Sequence, residues 1–147
     1  MLIATEGNTV DHEAIRRKIH ELARVYRIRE LAYDRWNSSM LINQLVNDGL
    51  TCVPVAQSNG AMNAPARELE RVLAAGTLRH GANPILRWCA GNAIAHVDAS
   101  GDIRPSKSRS IERIDLLVAA LMGISRHLVA PTPMARYRRS SATAGYS

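Results

Sequence analysis

The chain has 147 residues, a length that suits one domain with a hydrophobic core of its own. No apolar run is long enough to cross a membrane, and the N-terminus lacks the regions of a signal peptide, so we predict neither. The net charge of +6 favours a polyanionic partner. Cys52 and Cys89 lack any CxxC spacing, which argues against structural zinc and fits two buried thiols in a reducing cytosol.

The first part of the chain alternates strand and helix signals. Residues 2–5 predict a short strand, and a helix over 11–26 follows, with Thr9 or Asp11 as its cap. Its apolar stripe consists of Ile15, Ile19, Leu22 and Tyr26. Residues 28–34 then predict a strand inside a sheet.

The remaining elements continue this alternation. First come a helix capped by Asn37 or Ser38 and ending near Asp48 and Gly49, and a strand over 51–56 that is either at a sheet edge or bulged at Pro54. Helices over 63–75 and 84–90, a hairpin over 93–103 and a helix over 110–128 follow. Residues 1–129 therefore predict an α/β domain with a mixed sheet flanked by helices. The sheet is short of strands, as in a domain whose N-terminal strands are missing. Residues 130–147 predict a disordered basic tail.

Asp34 ends the strand over 28–34, at the position where α/β proteins collect functional groups. The alternative is a structural role, as a helix cap or a partner of Arg35. Asp115 falls within the helical pattern over 110–128, at the border of its apolar stripe. The alternative there is a boundary carboxylate that pairs with a nearby Arg or Lys.

Together the two aspartates suggest a metal site, because Mg²⁺ prefers oxygen ligands. Two metals about 4 Å apart can activate a water and stabilise the leaving oxygen of a phosphodiester. Such a site needs three or four carboxylates. Glu6, Asp98, Asp102 and Glu112 are available, and their spacing singles none out.

Other segments carry weaker signals. Residues 101–108 resemble a P-loop, but Ser106 replaces the second glycine and Pro105 removes an amide donor, which rejects a nucleotide site. Lys107 can still reach a nucleic-acid phosphate, although a solvated lysine is the simpler interpretation. His80, in a turn before a helix, can contact phosphate or carry a proton, or can merely bond the backbone.

A set of short motifs in fixed order resembles the C-terminal nuclease domain of the large terminase subunit of tailed bacteriophages. The motifs are Tyr33-Asp34-Arg35-Trp36-Asn37, Gln57, Leu78-Arg79-His80-Gly81-Ala82-Asn83-Pro84-Ile85-Leu86-Arg87-Trp88, Gly91-Asn92, Pro105-Ser106-Lys107 and Arg113-Ile114-Asp115, with residues 6–12 also similar. The resemblance covers about residues 2–128.

The resemblance implies a ribonuclease-H-like fold that cuts concatemeric DNA with two Mg²⁺ or Mn²⁺ ions in the cytoplasm of a bacterial host. It implies that Asp34 and Asp115 bind metal, and that Lys107, His80 and Arg79 lie where DNA binds. It also implies double-stranded DNA, the small terminase subunit and the portal as partners.

The chain departs from the family pattern in two ways. It has no Walker motif of the packaging ATPase, and the strand that carries the family's first metal-binding aspartate is expected before residue 1. Two functions remain open. One is a metal-dependent DNA endonuclease domain, weakened by the missing aspartate. The other is a catalytically dead prophage remnant that binds DNA or forms a homodimer through an exposed sheet edge.

Overall fold

A computed structural model describes residues 10–36 and 39–129 as an α/β arrangement of five helices and four short strands. Its elements are α1 (His12–Val25), β1 (Leu31–Tyr33), α2 (Ser39–Asn47), β2 (Cys52–Pro54), α3 (Asn59–Ala74), α4 (Pro84–Asn92), β3 (Ala95–Val97), β4 (Ile103–Pro105) and α5 (Asp115–Val129). The strand predicted over 2–5, the helix caps Asn37 and Ser38, and the tail over 130–147 lie outside the described residues. Within the described ranges, no helix combines the length and apolarity that a membrane span needs.

Strand β1, helix α2 and strand β2 form a parallel β-α-β unit. Leu31 pairs with Cys52 and Tyr33 with Pro54, and the amide of Val55 extends the ladder to the Tyr33 carbonyl at 2.9 Å. Parallel strands end at the same edge of a sheet, so the segments that follow Tyr33 and Pro54 emerge side by side. At this edge Asp34, which follows β1, lies beside Gln57, which follows β2.

The hydrophobic core lies between α3 and α5. Met62 and Ala66 of α3 pack against Val118, Leu121 and Met122 of α5. Ile114, which immediately precedes α5, is 1% exposed and completes the cluster. Burying these aliphatic side chains is the main source of stability for this core, and it fixes α5 against α3 and β1.

Strands β3 and β4 form the predicted hairpin. Val97 pairs with Ile103 in an antiparallel ladder, and Gly101 has a φ of 82° in the turn between them. Asp98 holds this turn by accepting the amides of Ser100 and Asp102. Hydrogen bonds keep the pKa of Asp98 below its ordinary value, and the largest contribution comes from the Asn59 side-chain amide.

The α/β class is therefore confirmed, but the strands form two sheets instead of one mixed sheet. One sheet pairs β1 with β2 in parallel, and the other pairs β3 with β4 in antiparallel fashion. The hairpin pairs locally through its own turn, whereas the parallel pair requires the α2 crossover. Cys89 is buried as expected, while Cys52 on β2 is half-buried, and that partial burial raises the pKa of its thiol.

Helix α3 begins earlier than the sequence predicts, at Asn59 instead of residue 63. The sequence predicts the start at Asn63-Ala64-Pro65, but Pro65 lies inside the helix. Tertiary hydrogen bonds hold the turn before it: the Asn59 side chain donates to Asp98 at 2.8 Å, and the Asn63 side chain donates to Asp102 at 2.6 Å. These bonds to the hairpin offset the local cost of an interior proline.

Helix α5 begins later than predicted, at Asp115 instead of residue 110. The carbonyl of Ser106 accepts the Ser110 amide at 3.0 Å and the Ser110 hydroxyl at 2.6 Å, and the Ser110 hydroxyl accepts the amide of Ile94 at 3.2 Å. Serine side chains that bond the backbone in this way compete with helix formation. The segment over 106–110 is therefore a fixed turn, which we call the serine loop.

Candidate functional site

Asp34 lies immediately after β1, in a cleft of about 490 Å³ that we call the strand-end cleft. The Gln57 side-chain amide donates to Asp34 Oδ2 at 2.5 Å, and the Trp36 amide donates to Oδ1 at 3.3 Å. The residues that line the cleft are Asp34, Arg35, Trp36, Pro54, Val55, Ala56 and Gln57. A half-buried carboxylate thus stands at the carboxyl end of the parallel pair, with a cationic and an aromatic side chain beside it.

Gln57 also lines a second cleft, of about 260 Å³, between β4 and the start of α3 and α5. We call it the serine-loop cleft. Its lining consists of Gln57, Met62, Arg104, Pro105, Ser106, Lys107, Ser108 and Val118. It combines an apolar floor with two cations and two hydroxyl groups, a composition suited to an anionic ligand.

Lys107 lines both the serine-loop cleft and a third cleft of about 290 Å³ at the start of α5. There its ammonium lies 3.0 Å from a carboxylate oxygen of Asp115. The Asp115 side chain is 61% exposed, so the expectation that it borders the buried face is wrong. The reason is that α5 starts at this residue, which places its side chain in the exposed first turn.

The three clefts therefore form one row from Asp34, through Gln57 and Lys107, to Asp115. Adjacent clefts share a lining residue, Gln57 in one case and Lys107 in the other. Asp34 and Asp115 stand at the two ends of the row, each with a polar partner that also faces the middle cleft. The structure thus has the alternative arrangement, in which Asp115 pairs with a nearby cation, here Lys107.

Comparison with known proteins decides the family. The terminase large subunit endonuclease domain matches residues 2–130 of the chain. The chain belongs to this family. The terminase large subunit of Enterobacteria phage HK97 is 31% identical over 126 residues, which are 84% of this chain and 25% of that protein.

Two further comparisons agree with this assignment. Protein YmfN of Escherichia coli (strain K12) is 28% identical over 131 residues, which are 88% of this chain and 29% of that protein. The crystal structure of the HK97 bacteriophage large terminase matches with a TM-score of 0.75 and 31% identity, over 83% of this chain and 26% of that one. The chain thus spans less than a third of the length of each of these relatives.

The described part of this terminase domain does not by itself offer a full metal-ligand set. Within it, no three or more His, Cys, Asp or Glu side chains are grouped to hold a metal ion. Asp34 and Asp115 are the hard oxygen ligands that Mg²⁺ or Mn²⁺ prefers, but they stand at opposite ends of the row, and Lys107 neutralises one of them.

Arg79 and His80 lie apart from this row in the terminase domain. Both are exposed in the connection between α3 and α4, and neither lines the three clefts. The His80 carbonyl accepts the Asn83 amide at 3.4 Å, and the Asn83 side chain caps α4 through the amides of Ile85 and Leu86. This turn has a clear structural role in starting α4.

Two residues of the row carry little signal in the sequence. In the sequence, Gln57 stands out only as a member of the family motifs. It follows β2 as Asp34 follows β1, and the ends of parallel strands meet, so this relation could have drawn attention to it. Arg104 was missed altogether. It lies in the middle of a three-residue strand, and only the fold brings it to the wall of the serine-loop cleft.

Proposed function

We propose that this chain is a DNA-facing part of a large terminase nuclease domain with a ribonuclease-H-like fold. The row of three clefts follows the backbone of double-stranded DNA, and Asp34 and Asp115 each contribute oxygen ligands for Mg²⁺ or Mn²⁺. The single observation that carries this proposal is the row itself, in a chain of this family, with a carboxylate at the ends of its parallel strands. Arg79 and His80 are proposed as DNA contacts beyond the row.

The roles of the residues follow from their positions. Gln57 orients the Asp34 carboxylate, because its side-chain amide donates to Oδ2 and both residues line the strand-end cleft. Arg35 lines the strand-end cleft and supplies positive charge that attracts the DNA backbone. Lys107, whose charge Asp115 balances, contributes a hydrogen-bond donor to the DNA backbone in the serine-loop cleft. A divalent ion would supply an activated water and charge stabilisation for phosphodiester hydrolysis.

Cleavage of supercoiled plasmid in Mn²⁺ or Mg²⁺ tests the nuclease assignment. Asp34→Asn and Asp115→Asn keep the shape of each side chain and remove its charge, and both are expected to abolish cleavage. Glu70→Gln is the matched control, because Glu70 is exposed on α3 and lines none of the three clefts. Cleavage that survives both aspartate variants would overturn the assignment.

A second function is a catalytically dead remnant that binds DNA or pairs with a second copy. The incomplete carboxylate set among the described residues favours it. The short two-stranded sheets also favour it, since edge strands recruit further strands. The expected results are salt-sensitive binding to duplex DNA with no cleavage in either metal, and a dimer in sedimentation experiments. Metal-dependent cleavage that the Asp34 variant abolishes would contradict it.

A further inference from the structure

We propose that the serine-loop cleft is a subsite for one phosphate group, with Arg104 as its anchoring cation and the hydroxyl of Ser108 as a second donor. Its assignment to a phosphate of the DNA backbone rests on the proposed function. Free inorganic phosphate offers the same chemistry, so the experiment below separates the two sources.

The first observation is that Arg104 is a cation without a described counter-charge. Its Nε atom is buried and has no hydrogen-bond partner, and no described carboxylate forms an ion pair with Arg104. The residue opposite on β3, His96, has a buried Nδ1 without a partner as well. A guanidinium is always charged, and a buried donor left unpaired is costly. An anion that enters the cleft beside Arg104 would balance the charge of its guanidinium.

Lys107 differs from Arg104 in this respect. Its ammonium lies 3.0 Å from Asp115, so its charge is already balanced locally. The charge of Arg104 is not balanced in this way, and it lines the same cleft. Arg104 is therefore the stronger anchor for an anion, even though Lys107 is the more exposed of the two.

The second observation is that the wall carrying the hydroxyl groups is held in place before any ligand arrives. The Ser106 amide donates to the Ile94 carbonyl at 2.9 Å, which ties the serine loop to the hairpin. Ser106 is 4% exposed, and its hydroxyl lies 3.3 Å from that of Ser108, which is exposed. A ligand that binds a preformed loop avoids the entropy of ordering it.

The third observation is the shape of the cleft. Its volume of about 260 Å³ accommodates a solvated phosphate group, since a water molecule takes about 30 Å³. Met62 and Val118 form an apolar floor, which lowers the local dielectric and strengthens a charge-assisted hydrogen bond to Arg104. The cleft also lies between the Asp34 and Asp115 ends of the row, where a DNA backbone would pass.

The experiment compares Arg104→Gln with Arg109→Gln. Arg109 is exposed on the serine loop and does not line the cleft, so this control removes the same charge from a neighbouring position. One arm measures the thermal unfolding midpoint in inorganic phosphate against chloride at equal ionic strength. The other arm measures affinity for a short DNA duplex across a series of salt concentrations.

We expect phosphate to stabilise the wild type and Arg109→Gln more than Arg104→Gln, because the general salt effect of phosphate acts on all three proteins alike. We expect Arg104→Gln to weaken duplex binding on the order of tenfold and to lower the salt slope by about 1, with a smaller affinity loss for Arg109→Gln. Ser108→Ala, an exposed change that does not threaten folding, should weaken binding roughly twofold. It serves as the second variant if Arg104→Gln does not fold.

Each outcome is decisive. Equal behaviour of the two arginine variants in both arms overturns the subsite and leaves the proposed function standing. A phosphate effect that requires Arg104, without any effect on duplex affinity, supports the subsite and overturns the DNA backbone as its source. A wild-type chain that binds no duplex overturns the proposed function, while the phosphate arm still tests the subsite.

Discussion

Helices α1 and α5 are nearly equal in length but differ in what covers them. The sequences of both have apolar stripes, yet α5 buries Leu117, Val118, Leu121 and Met122, while α1 buries no residue. Leu22 on α1 is 40% exposed, and Tyr26, which caps the C-terminal end of α1, is 54% exposed. Helix α1 packs on α2 and is joined to it by polar bonds: Asp48 accepts from Arg16 at 2.6 and 2.7 Å, and Nε2 of His20 lies 2.8 Å from Asp48.

This difference shows that an apolar stripe in the sequence predicts a helix but does not determine whether other elements bury that stripe. The core of α3 and α5 depends on apolar burial, whose free energy scales with the area removed from water. The α1–α2 pair depends more on charged hydrogen bonds near solvent, which contribute less and respond to salt and pH. The following substitutions separate the two regions.

The largest contrast is expected between Leu121→Ala and Leu22→Ala, the same truncation in the two helices. Leu121 is 1% exposed in the core, so its loss should cost about 2–5 kcal/mol of unfolding free energy. Leu22 is 40% exposed, and its loss should cost about 1 kcal/mol or less. Chemical denaturation measures both. Equal losses would mean that the face of α1 is covered as fully as that of α5.

A smaller effect is expected at the turn that ends α2. Gly49 has a φ of 87° with open space around it, so Gly49→Ala meets only backbone strain and should cost about 1–2 kcal/mol. Gly91→Ala is the control, because Gly91 lies in α4 with equal space and no positive φ. That control should be neutral or stabilising. Equal changes in the thermal unfolding midpoint for Gly49→Ala and Gly91→Ala would contradict the left-handed turn at Gly49.

The polar joint between α1 and α2 predicts a dependence of stability on pH. Hydrogen bonds from Arg16 and then His20 hold the pKa of Asp48 well below its ordinary value. A carboxyl with a lowered folded pKa stabilises the protein above its unfolded pKa, about 3.9, and this stabilisation is lost as the pH falls from there towards the folded pKa.

Asp48→Asn should therefore lower the unfolding midpoint at neutral pH and flatten its decline between about pH 4 and pH 2. Glu21→Gln provides the control, since Glu21 pairs only with Lys18 of the same helix among the described residues, and its side chain is 59% exposed. Parallel pH curves for wild type and Asp48→Asn would exclude the joint as a source of stability.

The smallest effect is expected at Trp36, in the strand-end cleft. Its side chain is 85% exposed, so Trp36→Ala should change the unfolding free energy by less than about 0.5 kcal/mol. Trp88 on α4 is 49% exposed and should cost more when truncated. A loss at Trp36 as large as that at Trp88 would show that Trp36 packs in the folded chain in solution.

The sequence predicted most of the local structure correctly. Asp11 caps α1 by accepting the Ala14 amide at 2.9 Å, and Pro84 occupies the first turn of α4. The hairpin formed around its glycine turn as expected. Caps and turns act over three or four residues, so they can be read from neighbours in the chain. The resemblance to the terminase nuclease family rested on short motifs in the same way and was confirmed.

The starts of α3 and α5 and the site itself depended on tertiary structure. Asn63 bonds the hairpin across the interior proline of α3, and Ser110 bonds the backbone where a helix was predicted. The bond between Gln57 and Asp34 joins the ends of two strands that helix α2 separates in the sequence. The contact between Lys107 and Asp115 depends on the turn that delays the start of α5. The sequence determined which segments are helices and turns, because those preferences are local. Only the folded chain decided which polar groups meet, because pairing across elements depends on packing.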